Sequence, residues 1–151
     1  MRFSVAADED TGVAREVIAL LERRGQAVTR IHGALSGDER PDWAWCSEAA
    51  ARDVAEGRAD QAVVCCWTGT GASIAANKVA GVRAALCGDA PTAAGARRWN
   101  DANVLALSLR TVSVPVLEEI VDAWLNTGPS TDASDRANVE HLAAIDPDAG
   151  E

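Results

Sequence analysis

The residues best equipped for chemistry lie in one stretch, CCWTGTGASIAANK at 65–78. Two cysteines close an apolar run there, and a glycine-rich turn, TGTGAS (68–73), follows. Gly69 and Gly71 permit positive φ and a close approach of backbone to a ligand. Successive N–H groups in such a turn, leading into a helix, form an anion-binding concavity. The anion could be a phosphate, or the enediolate oxygen that develops when a proton moves beside a carbonyl. The turn alone reads equally well as a tight strand-to-helix connection. It lacks the third glycine of a dinucleotide fingerprint and follows the third strand rather than the first. Lys78 also lies too deep in the helix for a P-loop.

Cys66 adds weight to the chemical reading. A thiol at a strand end, facing amide donors, would have its thiolate stabilised, and a thiolate can serve as general base on a carbon acid. The competing reading is a buried apolar cysteine. Cys65 fits that one, because neighbours on a strand point to opposite faces. The same alternation keeps the two from pairing. Cys46 and Cys87 complete the four cysteines, no C-x-x-C occurs, and His32 and His141 are the only histidines. No metal site is expected, and free thiols in a reducing cytoplasm are.

The elements that must hold this turn alternate in type. RFSVAA (2–7), AVTRI (27–31), QAVVCC (61–66), VRAALC (82–87) and NVLAL (103–107) read as strands. After its opening Gln61 the third is continuously apolar, as a strand covered on both faces should be. Helices are expected over 12–25, 43–57, 72–81, 90–100 and 113–126, two of them closed by Gly25 and Gly57. Strand–helix alternation with short connections predicts a three-layer α/β/α sandwich. Its five-stranded sheet should be mostly parallel, with a Rossmann-like or flavodoxin-like strand order. Ligands of such sheets bind beyond the C-terminal strand ends, which include 65–73. Residues 1–126 form one expected domain. From Thr127 the composition shifts to Gly, Pro, Ser, Asp and Ala, and a tail over 127–151 carries a helical stretch at 136–145, suited to packing on a partner subunit.

The totals exclude several classes. The chain has 151 residues, is 48% hydrophobic and carries a net charge of -9, with an isoelectric point near 4.6. That balance argues against a nucleic-acid or anionic-membrane binder. No apolar run approaches the ~20 residues of a membrane helix, and acid appears too early in MRFSVAADED for a signal peptide.

Two motifs, TGTGASIAANKVAGVRAALC (68–87) and RRWNDANVLAL (97–107), resemble the sugar-phosphate isomerases of the ribose-5-phosphate isomerase B and galactose-6-phosphate isomerase family. The resemblance runs from residue 3 to about 126. It implies the same α/β sandwich, dimers or tetramers with sites at the subunit interface, and no metal or organic cofactor. It also assigns roles. Cys66 takes the place of the base that moves a proton between neighbouring carbons through a cis-enediol(ate), and Thr68 assists. The amides of Gly69, Thr70, Gly71, Ala72 and Ser73 match an anion hole. Asn100, in the NDANVL motif with Asp101, approaches the substrate.

The departures from the family pattern cluster at the same site. Glu9 and Asp10 stand where relatives carry an Asp-His pair. Trp99 replaces the histidine thought to open the sugar ring. Trp43 replaces a tyrosine after the aspartate matching Asp42, and Trp67 a glycine between base and threonine. In the C-terminal helix, Ser134 and Asn138 stand where relatives place phosphate-binding arginines. The pocket thereby loses an imidazole and much of its phosphate grip, and gains indoles and a carboxylate. Indoles stack on apolar sugar faces or cations, and carboxylates accept hydrogen bonds from hydroxyls. The expected activity is an aldose–ketose isomerisation on a sugar or sugar phosphate other than ribose 5-phosphate, unphosphorylated, already open-chain or bulkier. The alternatives are an epimerase or tautomerase on a related carbonyl compound, and a non-catalytic ligand-binding member.

Overall fold

A computed structural model describes residues 1–146 of the chain; the end of the expected tail, 147–151, lies outside the described residues. Five strands, β1 (Arg2–Ala7), β2 (Ala27–Gly33), β3 (Gln61–Cys66), β4 (Ala84–Leu86) and β5 (Val104–Ser108), form one parallel sheet. Their order is β2-β1-β3-β5-β4. This keeps the 2-1-3 half of a flavodoxin-like sheet and exchanges the last two strands, so the three-residue β4 becomes an edge. Six helices connect or follow the strands: α1 (Gly12–Arg23), α2 (Trp43–Ala55), α3 (Thr70–Ala76), α4 (Ala90–Asn100), α5 (Val114–Leu125) and α6 (Ala133–Ala144).

The two faces of the sheet are packed differently because the strands alternate large and small residues. Phe3, Val5, Val63, Leu105 and Leu107 point to one face, against Val17, Leu20 and Leu21 of α1 and Leu117, Ile120 and Trp124 of α5. Ala6, Ala62, Val64, Cys66 and Ala106 point to the other, where small residues of α2 (Cys46, Ala50, Ala51) and α3 (Ala72, Ala76) approach closely. Buried polar groups pin these layers. Trp124 donates its indole N–H to Gln61 Oε1 at 2.7 Å. Asp53 accepts from Ser4 Oγ (2.8 Å) and Arg58 Nε (2.7 Å) and meets His32 Nε2 at 2.7 Å. That carboxylate ties α2 to β1, β2 and the turn after the helix.

Several boundaries differ from those expected. Instead of spanning 72–81, α3 starts at Thr70 and ends at Ala76. It stops there because Asn77 bonds across to the edge strand: Nδ2 donates to Ala84 O at 2.9 Å and Oδ1 accepts from Ala84 N at 2.8 Å. The following strand is correspondingly shorter than 82–87. The last helix begins at Ala133 rather than 136, because Asp132 caps it through the amides of Ser134 and Asp135. No residue of α6 is buried, and it rests against α4. Among the described residues, no helix is long and apolar enough to cross a membrane.

Candidate active site

The chain leaves β1 toward β2 on one side of the sheet and returns to β3 on the other. The C-terminal ends of β1 and β3 therefore flank the crevice where doubly wound sheets hold ligands. Cys66 is the last residue of β3, paired with Ser108 of β5 and only 4% exposed. Its Sγ accepts a hydrogen bond from the Ala72 amide at 3.4 Å. The next peptide is held from β5: Arg110 N–H (2.9 Å) and Ser108 Oγ (3.0 Å) both donate to the Trp67 carbonyl. The chain then turns at Gly69, with φ +76°. A Cβ there would lie 2.5 Å from Leu86 Cδ1 and 2.8 Å from the Leu107 carbonyl carbon. Glycine is thus required twice, by conformation and by space.

Beyond the turn, Thr68 and Thr70 join hydroxyls at 2.8 Å. Ser73 N–H bonds to Gly69 O at 3.0 Å, the first intrahelical bond of α3. It is thereby committed to the helix rather than to a ligand, which separates Ser73 from the expected anion hole. The Ala72 amide is directed to Cys66, and those of Thr70 and Gly71 precede the first intrahelical donor, Ser73. The other three thiols are free and buried. Burial pushes Cys65 up strongly, Cys46 up to about 12 and Cys87 up to about 11.

At the end of β1, Asp10 takes Arg15 through two bonds of 2.6 Å, and Thr11, not Glu9 or Asp10, caps α1 by accepting from Ala14 N. Glu9 is exposed. The residue that the sequence pattern does not reveal is Asp8. Ala7 pairs with Cys65, so one further step along both strands sets Asp8 beside Cys66. Its Oδ1 is shut from solvent and accepts no hydrogen bond from any described residue. Burial, then the charges of Glu9 and Asp42, raise its pKa above the ordinary aspartate value. No local pattern marks Asp8; only the β1–β3 register does.

The indoles separate into three groups. Trp124 is core. Trp43, 44% exposed, lies over Gly71, where a Cβ would meet its ring at 2.9 Å. Trp67, next after Cys66 in the chain, is 52% exposed, and Trp45 carries the Arg40 guanidinium 4.1 Å from its ring centre. Trp99, 54% exposed, and Asn100 stand apart, since α4 runs back from the C-terminal end of the sheet and finishes near the start of β5. The four residue steps of β5 between Val104 and Ser108 separate them from the level of Cys66 by about 13 Å. Within one chain the structure does not bring Trp99 or Asn100 to the thiol. They line two clefts, one of about 330 Å³ shared with Asn138 and Leu142 of α6 and one of about 660 Å³ beside Leu86 and Pro91. Asp101, the neighbour of Asn100, is a fold residue. It adopts φ 43°, with its carboxylate between Arg83 (3.1 Å) and Arg97 (3.3 Å).

Comparison with known proteins shows the family and the fold. A family model described as Ribose/Galactose Isomerase matches residues 4–142. The chain is 42% identical over 110 residues to ribose-5-phosphate isomerase B of Escherichia coli, covering 73% of this chain and 72% of that one. It is 36% identical over 106 residues to D-erythrulose-4-phosphate isomerase of Pectobacterium atrosepticum, covering 70% and 69%. The fold superposes on ribose-5-phosphate isomerase B of Clostridium thermocellum with a TM-score of 0.87 at 35% identity, over 96% of this chain and 97% of that one.

Proposed function

The chain belongs to the ribose/galactose isomerase family, and we propose that it is a cofactor-independent aldose–ketose isomerase with Cys66 as its carbon base. The observation that carries this reading is the Ala72 N–H directed at Cys66 Sγ from the opening turn of α3. An amide donor on sulfur favours the thiolate. The thiolate takes the proton from the carbon next to a sugar carbonyl, and the C–H electrons move into the carbonyl to give a cis-enediol(ate). The Cys66 thiol then returns the proton to the neighbouring carbon. The amides of Thr70 and Gly71 and the Thr68–Thr70 hydroxyl pair are the donors at hand for the developing oxyanion. Resident metal or redox chemistry is not needed, since atoms and electrons balance within the substrate.

The substrate is a sugar or sugar phosphate other than ribose 5-phosphate. Trp43 over Gly71 and the exposed Trp67 after Cys66 offer apolar surface for a sugar, and Asp10 holds the Arg15 guanidinium. The likeness to a D-erythrulose-4-phosphate isomerase supports a family pocket that accepts more than one sugar. Because Trp99 and Asn100 lie about 13 Å below Cys66 in their own chain, the complete site takes them from a second copy in a homodimer or homotetramer. Free thiols throughout the described residues go with a cytoplasmic location.

Deuterium exchange tests the reading. The protein is incubated in deuterated water with ribose 5-phosphate, galactose 6-phosphate, erythrulose 4-phosphate and their unphosphorylated counterparts. Label and product are read by mass spectrometry. The wild type labels at least one phosphorylated compound and Cys66→Ala labels none. Label that persists in Cys66→Ala removes the cysteine base, and silence across the panel removes the isomerase.

A further inference from the structure

We propose that a cleft between α4 and α6 binds a zwitterionic α-amino acid with an apolar side chain, at a site separate from the thiol. The cleft measures about 190 Å³, room for about six waters. That suits one small molecule rather than a nucleotide or a peptide. Its walls are Arg98 and Trp99 at the end of α4, Ser130 in the connection, and Asp135, Arg136, Val139 and Glu140 of α6. The connection is tied down at the cleft: Ser130 N–H donates to Arg98 O at 2.7 Å, and Ser130 Oγ accepts from Asp132 N–H at 3.0 Å.

The charges around the cleft carry the inference. Arg98 and Arg136 bring two guanidinium groups, one from each helix, and Asp135 and Glu140 bring two carboxylates. None of the four is ion-paired with any described residue. Arg136 and Glu140 stand one helical turn apart and still do not join. The remaining charge in the lining, Asp101, is taken by Arg83 and Arg97. Opposite charges held apart around one cavity fit a ligand that carries both. A carboxylate bridges Arg98 and Arg136, an ammonium meets Asp135 and Glu140, and an apolar side chain lies against the Trp99 indole and Val139. A phosphate matches only half of this lining, and the two acids oppose it.

The state of α6 supplies a second reason. Its 12 residues bury no side chain, yet a helix of that length draws its stability mostly from packing. A ligand that bridges Arg98 and Arg136 holds α6 to α4. Asp135 and Val139 line both this cleft and the one of about 330 Å³, so they face α4. Arg136 and Glu140 lie on one flank of that contact, and Asn138 and Leu142 on the other. The ligand therefore takes the flank away from Asn100.

Calorimetric titration of the full chain tests this, with L-leucine, L-phenylalanine, N-acetyl-L-leucine and L-leucinamide as probes. Leucine or phenylalanine should give saturable binding. N-acetyl-leucine lacks the ammonium and leucinamide the carboxylate, and each should bind about tenfold or more weakly than leucine. Arg136→Gln and Glu140→Gln, both at exposed positions, should each weaken the amino acid by a similar factor while circular dichroism stays that of wild type. Cys66→Ala should bind as wild type does, so the site stands or falls apart from the carbon-base reading. The absence of saturable binding by both amino acids at millimolar concentration overturns the proposal. Equal affinity for free and blocked leucine, or binding unchanged in both Arg136→Gln and Glu140→Gln, overturns it as well.

Discussion

Replacing Gly69 by alanine separates the conformational cost of the turn from its spatial cost. Gly69 has φ +76°, and a side chain in that region costs about 1–2 kcal/mol. The added Cβ would also press on three atoms: Leu86 Cδ1 at 2.5 Å, Leu107 C at 2.8 Å and Ser108 N at 2.9 Å. Leucine's terminal methyl can swing away, but the two backbone atoms belong to β5, which is hydrogen-bonded to β3 and β4. Overpacking of this kind adds about 1–3 kcal/mol, so Gly69→Ala should cost about 2–5 kcal/mol in all. Gly57 supplies the control, since it has φ +72° and a Cβ added there would meet nothing within 4 Å. Gly57→Ala should cost the conformational part alone. Urea unfolding of both variants gives the difference. The thiol alkylation rate at Cys66 reports whether the Ala72 amide has moved off sulfur. If Gly69→Ala is no more destabilising than Gly57→Ala, the contact with β5 carries no energy and the fit of the turn against the sheet is refuted.

Two further perturbations address the fold and the shared site. Burial alone would raise Asp53, but hydrogen bonds from His32, Arg58 and Ser4 outweigh it and hold the carboxyl below the ordinary aspartate value. Its contribution is therefore present above pH ~3.9 and is lost as the pH falls toward the depressed folded value. Asp53→Asn should cost about 3 kcal/mol at pH 7, with the gap to wild type narrowing below about pH 4; chemical denaturation at both pH values checks it, and a gap unchanged with pH counts against the network. Mixing Cys66→Ala with Asn100→Ala subunits should restore roughly a quarter of wild-type turnover, since each mixed dimer keeps one intact site. No recovery after subunit exchange would place both residues of each site in one chain.

What the sequence disclosed follows from how local each signal is. Gly25 and Gly57 end α1 and α2 in the positive-φ conformation their positions announce, and the unbroken apolar run of 62–66 lies in the central β3. Cys66 and Gly69 were legible for the same reason, because alternation along a strand and the conformational demand of a turn need only near neighbours. The end of α3 was not, because Asn77 stops the helix by bonding to Ala84, seven residues on. Asp8 is harder still. Its meaning depends on the register between β1 and β3, set by residues more than fifty positions apart. Trp99 and Asn100 entered the site by resemblance alone. The return direction of a crossover helix, fixed by parallel pairing on either side of it, removes them from the thiol of their own chain.

Adjacent cysteines with opposite fates show how the sheet supports chemistry at a single atom. Cys65 and Cys66 share a strand, yet Cys65 packs among Val5, Leu105 and Leu107 on the large-residue face, where burial suppresses its ionisation. Cys66 turns to the small-residue face. There Ala72 packs against it, and the alanine backbone, not a side chain, reaches the sulfur. A larger residue at position 72 would hold α3 away and lengthen that bond. The alanine-rich surface of α2 and α3 is thus part of the site, since it sets how close the first turn can come. The glycine at 69 lets the chain make the approach, and the register with β1 brings Asp8 level with Cys66 on the neighbouring strand. Backbone donor, sulfur and acid are therefore positioned by three different elements, each fixed from the opposite face by the core.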